Sequence, residues 1–165
     1  MNPNHPPTSS TSNGSNVQDC PKLPQWSPRS RILVAEDDML LGKLISGALG
    51  RAGFDVNIVS NGEEAWESII SDRYDLLLTD YEMPRLSGLE LITRIREGGG
   101  TIPSVIMSGY TGLEMEHQNS KLQIGAVISK PFTSFHLVDT LREVLEIARC
   151  GPEGNPASGH STPLT

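Results

Sequence analysis

Four short apolar runs in this sequence each end in a residue that can do chemistry. Ile32-Leu33-Val34-Ala35 leads into Glu36, Asp37 and Asp38, and Leu76-Leu77-Leu78 leads through Thr79 into Asp80. Val105-Ile106-Met107 leads into Ser108, and Ala126-Val127-Ile128 leads through Ser129 into Lys130. Brought together, the acids would repel one another, by about 4 kcal/mol for a pair ~4 Å apart at an effective dielectric near ~20. Such a cluster needs an offset: a raised pKa, a lysine or a divalent cation. Oxygen-only ligands select a hard ion, and few protein ligands completed by water suit Mg²⁺, with Mn²⁺ an acceptable substitute. The same set fits phosphoryl transfer. A carboxylate such as Asp80 can attack phosphorus to form an acyl phosphate. The transferring group spreads negative charge over its equatorial oxygens. A cation, the Lys130 ammonium, the Ser108 hydroxyl and nearby backbone N–H groups can receive that charge. Gly109, after Ser108, leaves the approach to Asp80 open. The plainer alternative is a set of solvated strand-end caps, which explains any single acid more easily than the whole constellation.

These residues can meet only if the fold carries them to one edge. Each apolar run is short and continuous, the pattern of a strand buried on both faces. A fifth strand is predicted at Val56, Ile58 and Val59. Between the strands the apolar period becomes helical. Leu41, Leu44, Ile45, Ala48 and Leu49 predict one helix, closed by Gly53, and Ala65, Trp66, Ile69 and Ile70 predict a second. Leu89, Ile92 and Ile95 predict a third, closed by Gly98-Gly99-Gly100, and a polar fourth spans about 112–122. Leu137, Val138, Leu141, Val144, Leu145 and Ala148 predict a strongly amphipathic last helix capped near Thr133. Five strands alternating with five helices imply an α/β fold with a parallel sheet covered on both faces. Right-handed crossovers make that sheet doubly wound, with its site at the carboxyl ends of the strands.

Composition sets the bounds of this domain. The chain has 165 residues, of which 36% are hydrophobic, and the apolar deficit sits at the two ends. Residues 1–29 are rich in Ser, Asn, Pro and Thr, with sizeable apolar surface only at Val17, Leu23 and Trp26. That is too little to offset the entropy of ordering, so the segment is expected to be a disordered tail, as is 150–165. Residues 30–149 are the expected domain. A formal net charge of -7 argues against non-specific nucleic-acid binding. Cys20 and Cys150 lie one in each flank without metal-ligand spacing, which reads as a reducing, cytoplasmic setting. No apolar run approaches the ~20 residues of a membrane span, and the N-terminus lacks the basic start and apolar stretch of a signal peptide.

With these motifs in view, the chain resembles the receiver domain of bacterial two-component response regulators, over about residues 31–149. The resemblance is carried by ILVAEDD after the first strand, LLLTDYEMPRLSG around Asp80, VIMSGY after the fourth strand and SKPF at Lys130. The D-x-x-M-P-x-x-x-G pattern from Asp80 to Gly88 is its strongest single piece. It implies a flavodoxin-like receiver fold with strand order 2-1-3-4-5. It implies Asp80 as phosphoacceptor, Asp37 as a direct Mg²⁺ ligand and Glu36 as a ligand through water. The backbone carbonyl of Glu82 is implied as a further ligand, Ser108 as the switch hydroxyl and Lys130 as the phosphoryl contact. The Lys130–Pro131 bond is often cis in such domains. Two departures stand out. The usual Gly-Ala pair before the lysine is replaced by Gln123-Ile124, with Gly125-Ala126 displaced. The aromatic that often swings on activation falls at Val127, which cannot make that movement, leaving Tyr110 to stand in.

The resemblance also sets the expected partners: a sensor histidine kinase or histidine phosphotransfer protein as donor and a downstream protein target, with no nucleic acid and no membrane. Too few residues follow Arg149 for an effector module, so a stand-alone signalling domain, not an enzyme, is expected. Two rival readings fit parts of the pattern. A phosphatase of the haloacid dehalogenase type would want a second Asp two residues after the first, where this chain has Glu82. A pseudo-receiver acting purely by contact would be expected to lack the acceptor or the lysine, and both are present.

Overall fold

The computed structural model describes residues 29–109 and 122–150. Its elements, in chain order, are β1 (Arg31–Ala35), α1 (Met39–Arg51), β2 (Asp55–Val59), α2 (Gly62–Ser71), β3 (Leu76–Asp80), α3 (Gly88–Glu97), β4 (Ser104–Ser108), β5 (Ala126–Ser129) and α4 (Ser134–Cys150). The strands form one sheet in the order β2-β1-β3-β4-β5, every pairing parallel. This is the doubly wound order that the resemblance implies. The polar helix expected over about 112–122 lies outside the described residues except for Leu122. The two expected tails also lie outside them, apart from Arg29 and Cys150.

Strand alternation divides the interior in two. Ile32, Val34, Leu76, Leu78, Val105, Met107 and Ile128 point to one face, where α1 and α4 cover them with Ile45, Leu49, Leu137 and Leu141. Leu33, Ala35, Leu77 and Ile106 point to the other, under Ala65 of α2 and Leu91, Ile92 and Ile95 of α3. β3 and β4 are buried along their whole length, as central strands of a doubly covered sheet should be. β2 is an edge strand and stays largely open.

Three expected core positions on the helices lie at the surface. Leu44 and Ile70 are each 64% exposed, and Ala148 is exposed as well. At 3.6 residues per turn, Leu44 lies roughly 100° around α1 from buried Ile45, and Ile70 roughly 140° around α2 from buried Ala65. Apolar residues at helical spacing therefore marked the helices correctly while overstating the width of the covered stripe.

Side chains start these helices. Asp38 caps α1, its carboxylate accepting from Leu40 N and Leu41 N. Asn61 caps α2, and Ser87 with Glu90 forms a reciprocal capping box at α3. The Thr133 hydroxyl accepts from His136 N at 3.1 Å at the head of α4, where the cap was expected. Each cap lies just past the carboxyl end of a strand, so the helices begin at the same edge of the sheet as the chemically capable residues.

Candidate functional site at the carboxyl edge of the sheet

β1, β3, β4 and β5 deliver Glu36, Asp80, Ser108 and Lys130 to neighbouring strand ends because β1 pairs with β3, β3 with β4 and β4 with β5. Register tightens this: Asp80 is level with Met107, and Ser108 with Ser129. The Lys130 N–H donates to the Ser108 carbonyl at 2.7 Å, which holds the last two site residues side by side. Lys130 Nζ reaches 2.7 Å from Asp80 Oδ2 and 3.2 Å from Glu36 Oε2, so one ammonium bridges two buried carboxylates. Glu36, Asp37 and Asp80 each offer a carboxylate oxygen, and these oxygens all lie within 4.8 Å of one another.

Charge is unbalanced at this edge. Three carboxylates face one ammonium, and Asp37 enters no ion pair among the described residues. Burial pushes the Glu36 carboxyl above its usual range and the neighbouring Asp80 charge pushes it further, against the pull of Lys130. Burial alone would lower the Lys130 ammonium; its hydrogen bond to Asp80 and the two carboxylate charges outweigh that and raise it. Oxygen donors in excess of positive charge, partly open to water through exposed Asp37, fit a hard divalent cation.

The loop after Asp80 is fastened from below. The Tyr81 N–H donates to the Met107 carbonyl at 2.8 Å, and the Gly88 N–H donates to the Tyr81 carbonyl at 3.1 Å. Met83 and Leu86 of this loop pack against the core under α2 and α3. Gly88 cannot be larger, because a Cβ there would overlap the Asp80 carbonyl oxygen and the Thr79 hydroxyl. The last glycine of the D-x-x-M-P-x-x-x-G pattern is thus a close-approach residue that lets α3 start against the backbone of Asp80.

The remaining expected site residues divide. Ser108 is fully buried at the end of β4, and Glu82 is exposed in the loop after Asp80. Gly109 is exposed, and a Cβ there would meet no described atom within 4 Å. Pro131 is exposed after a cis Lys130–Pro131 bond, and Tyr110 lies outside the described residues. Asp38 belongs to the helix cap. The signal was present in the sequence: an Asp directly before the first helical residues is a favoured N-cap.

A five-stranded parallel sheet with acids at two strand ends, a hydroxyl at a third and a lysine at a fourth defines the receiver class of signalling domain. Sequence comparison agrees: the family described as the response regulator receiver domain matches residues 32–142. The chain belongs to the response regulator receiver domain family, the receiver class of two-component regulatory systems. It is 33% identical over 114 residues to the response regulator receiver protein CpdR of Brucella abortus, covering 69% of this chain and 92% of that one. It is 36% identical over 129 residues to the 3',5'-cyclic-nucleotide phosphodiesterase regA of Dictyostelium discoideum, covering 74% of this chain and 16% of that protein. The response regulator MprA of Mycobacterium avium is 32% identical over 130 residues, with 55% of its length spanned. Among solved structures, the receiver domain of the Francisella response regulator 1452 superposes with a TM-score of 0.68 at 25% identity, over 72% of this chain and 98% of that one. No helix among the described residues is long and apolar enough to cross a membrane.

Proposed function

We propose that Asp80 is the phosphoacceptor, taking a phosphoryl group from the phosphohistidine of a sensor histidine kinase or histidine phosphotransfer protein. The observation that carries this reading is the single ammonium of Lys130 shared by Asp80 and Glu36, with a third carboxylate, Asp37, close by and in no ion pair among the described residues. In the reaction an Asp80 carboxylate oxygen bonds to phosphorus while the P–N bond to the donor imidazole breaks. The imidazole departs with the bonding electron pair, and an acyl phosphate remains on Asp80. Lys130, already at Asp80 Oδ2, follows the new negative charge onto the phosphoryl oxygens, and the Ser108 hydroxyl at the adjacent strand end takes another. Glu36 and Asp37, with Asp80 and the backbone carbonyl of Glu82, would hold Mg²⁺. When bound, that ion supplies charge neutralisation for the incoming group.

Protein partners meet the site at this edge. Met39, Leu40 and Leu44 near the start of α1 and Phe135 near the start of α4 are exposed apolar side chains on helices that begin at the site edge. Exposed apolar residues beside a reactive site suit a docking protein. The reading is tested by incubating the protein with acetyl phosphate or a phosphorylated kinase and Mg²⁺. One acid-stable, base-labile phosphoryl group should appear by intact mass, and Asp80→Asn should abolish it. Equal labelling of that variant would sink the assignment.

A further inference from the structure

We propose that the chain's own Trp26 docks in a groove at the foot of the sheet, on the edge opposite the acidic cluster. The groove, of about 240 Å³, lies between the end of α1 and α4. It is smaller than the ~300–1,000 Å³ of a typical small-molecule pocket, a size suited to one large side chain. Ala52, Phe54 and Leu145 give it apolar walls, and Arg142 and Arg149 stand beside them. The guanidiniums are placed by the fold. Arg142 Nη2 donates to the Ala52 carbonyl at 3.3 Å, and Arg149 Nη2 donates to the Ser30 hydroxyl at 2.7 Å. Apolar walls flanked by guanidinium groups fit an aromatic ring, which buries its edges and presents a π-face to the cations.

The position of the described chain selects the occupant. Arg29 and Ser30 themselves line this groove. Ser30 is fixed there, since its carbonyl accepts from Asp55 N at 3.0 Å in addition to the Arg149 contact. Trp26 stands three residues before Arg29, a reach of about 11 Å for extended chain. A side chain tethered that closely meets the groove at an effective concentration of order mM, without a partner's association cost. Trp26 is the one aromatic residue in the first 29, and Pro24 and Pro28 on either side restrict the backbone that would be ordered. On the C-terminal side, residues 151–165 hold a single large aliphatic residue, Leu164, far from Cys150. Docking would extend the folded unit past Arg29, so that part of the compositionally polar N-terminal stretch belongs to the domain.

Trp66 is the other tryptophan, so the full chain carrying Trp66→Phe reports Trp26 alone. Docking predicts blue-shifted emission and a several-fold lower acrylamide quenching constant in native buffer than in denaturing urea. It also predicts that Arg142→Ala together with Arg149→Ala raises the quenching constant towards the urea value. Equal quenching in the native and denatured protein overturns the proposal. So does protection that appears only as protein concentration rises, because the occupant would then be a second copy. If Trp66→Phe fails to fold, the unsubstituted protein gives the same decision by NMR. The Trp26 indole resonance, identified by its loss in Trp26→Phe, should show contacts with the Phe54 ring, and their absence overturns the proposal.

Discussion

Asp37 and Asp80 are both aspartates at strand ends, yet their surroundings separate them. Asp80 is buried with Lys130 at 2.7 Å, while Asp37 is exposed, near two other carboxylates and without a cation of its own among the described residues. A unit charge about 5 Å from another costs about 1 kcal/mol at the dielectric of water. Asp37→Asn should therefore raise stability by about 1 kcal/mol in metal-free buffer, read from urea unfolding. With millimolar Mg²⁺ the gain should vanish or reverse, since the ion stabilises only a chain that binds it. A stability loss without metal would show that Asp37 does structural work instead. Asp72 illustrates a carboxylate with the opposite balance. The Arg31 guanidinium donates to it at 2.9 Å and the Arg73 N–H at 3.0 Å, which pulls its pKa down to about 2. A depressed folded-state pKa gives stability that is complete above the ordinary value of 3.8 and lost as pH falls through about 2. Thermal midpoints should fall between about pH 4 and pH 2 partly for this reason. Asp72→Asn should lower the midpoint at neutral pH and flatten that acid limb.

At the scale of elements, the least anticipated feature is Arg96 at the end of α3. Its guanidinium donates to the carbonyls of Leu122, Gly100 and Ile102 at 2.8, 3.0 and 2.9 Å, and reaches the Ser104 hydroxyl and the Gln123 carbonyl at 3.4 Å. One side chain thereby ties the end of α3, the approach to β4 and the approach to β5. No carboxylate is among these partners, and burial lowers the Arg96 pKa. Hydrogen bonds from a charged donor contribute ~1.5–3 kcal/mol, and unpaired buried carbonyls add to the loss. Arg96→Ala should cost about 3 kcal/mol in chemical unfolding. Arg96→Lys should recover little of it, because an ammonium cannot reproduce the planar fork. Full rescue by lysine would mean that charge, not geometry, is what the site requires. Gln123 lies beside this tie with a φ of +50°, and a neighbouring Ile124 is buried in the core. These are the two positions where a Gly-Ala pair was expected. A glutamine therefore holds a left-handed conformation that glycine adopts at lower cost.

Considered as a whole molecule, the site edge is connected to one flank of the sheet more directly than to the other. Lys130 N–H holds the Ser108 carbonyl, Ser108 is level with Ser129, and Lys130 leads through Pro131 into α4. A phosphoryl group on Asp80 acts only through contacts that differ between the two states. Under the proposed function Lys130 and Ser108 would make those contacts, so the change should spread along β4, β5, the 109–122 segment and the start of α4. With Val127 in place of the usual aromatic, Tyr110 and that segment are expected to carry it. Amide exchange with and without beryllofluoride should change mainly within residues 104–135. Changes confined to β2 and α2 would show that the output surface lies on the opposite flank.

Much of this was legible in the chain itself. Runs such as Leu76–Leu78 and Val105–Met107 have few alternatives to buried strands, since their backbone groups must pair and both faces must be covered. Helical periods between them then imply crossovers on both sides of the sheet. The residue types after each run pointed to the chemistry proposed here, because carboxylates, a hydroxyl and an amine at strand ends have few joint uses. Local signals cannot report distance between elements. Only the tertiary structure decided that Lys130 bridges Asp80 and Glu36 while Asp37 has no ion pair among the described residues, and that Gly88 abuts the Asp80 carbonyl. It also turned Leu44 and Ile70 outward and gave Arg96 its carbonyls. These contacts join separate elements at ångström range, where packing and charge balance, not periodicity, set the outcome.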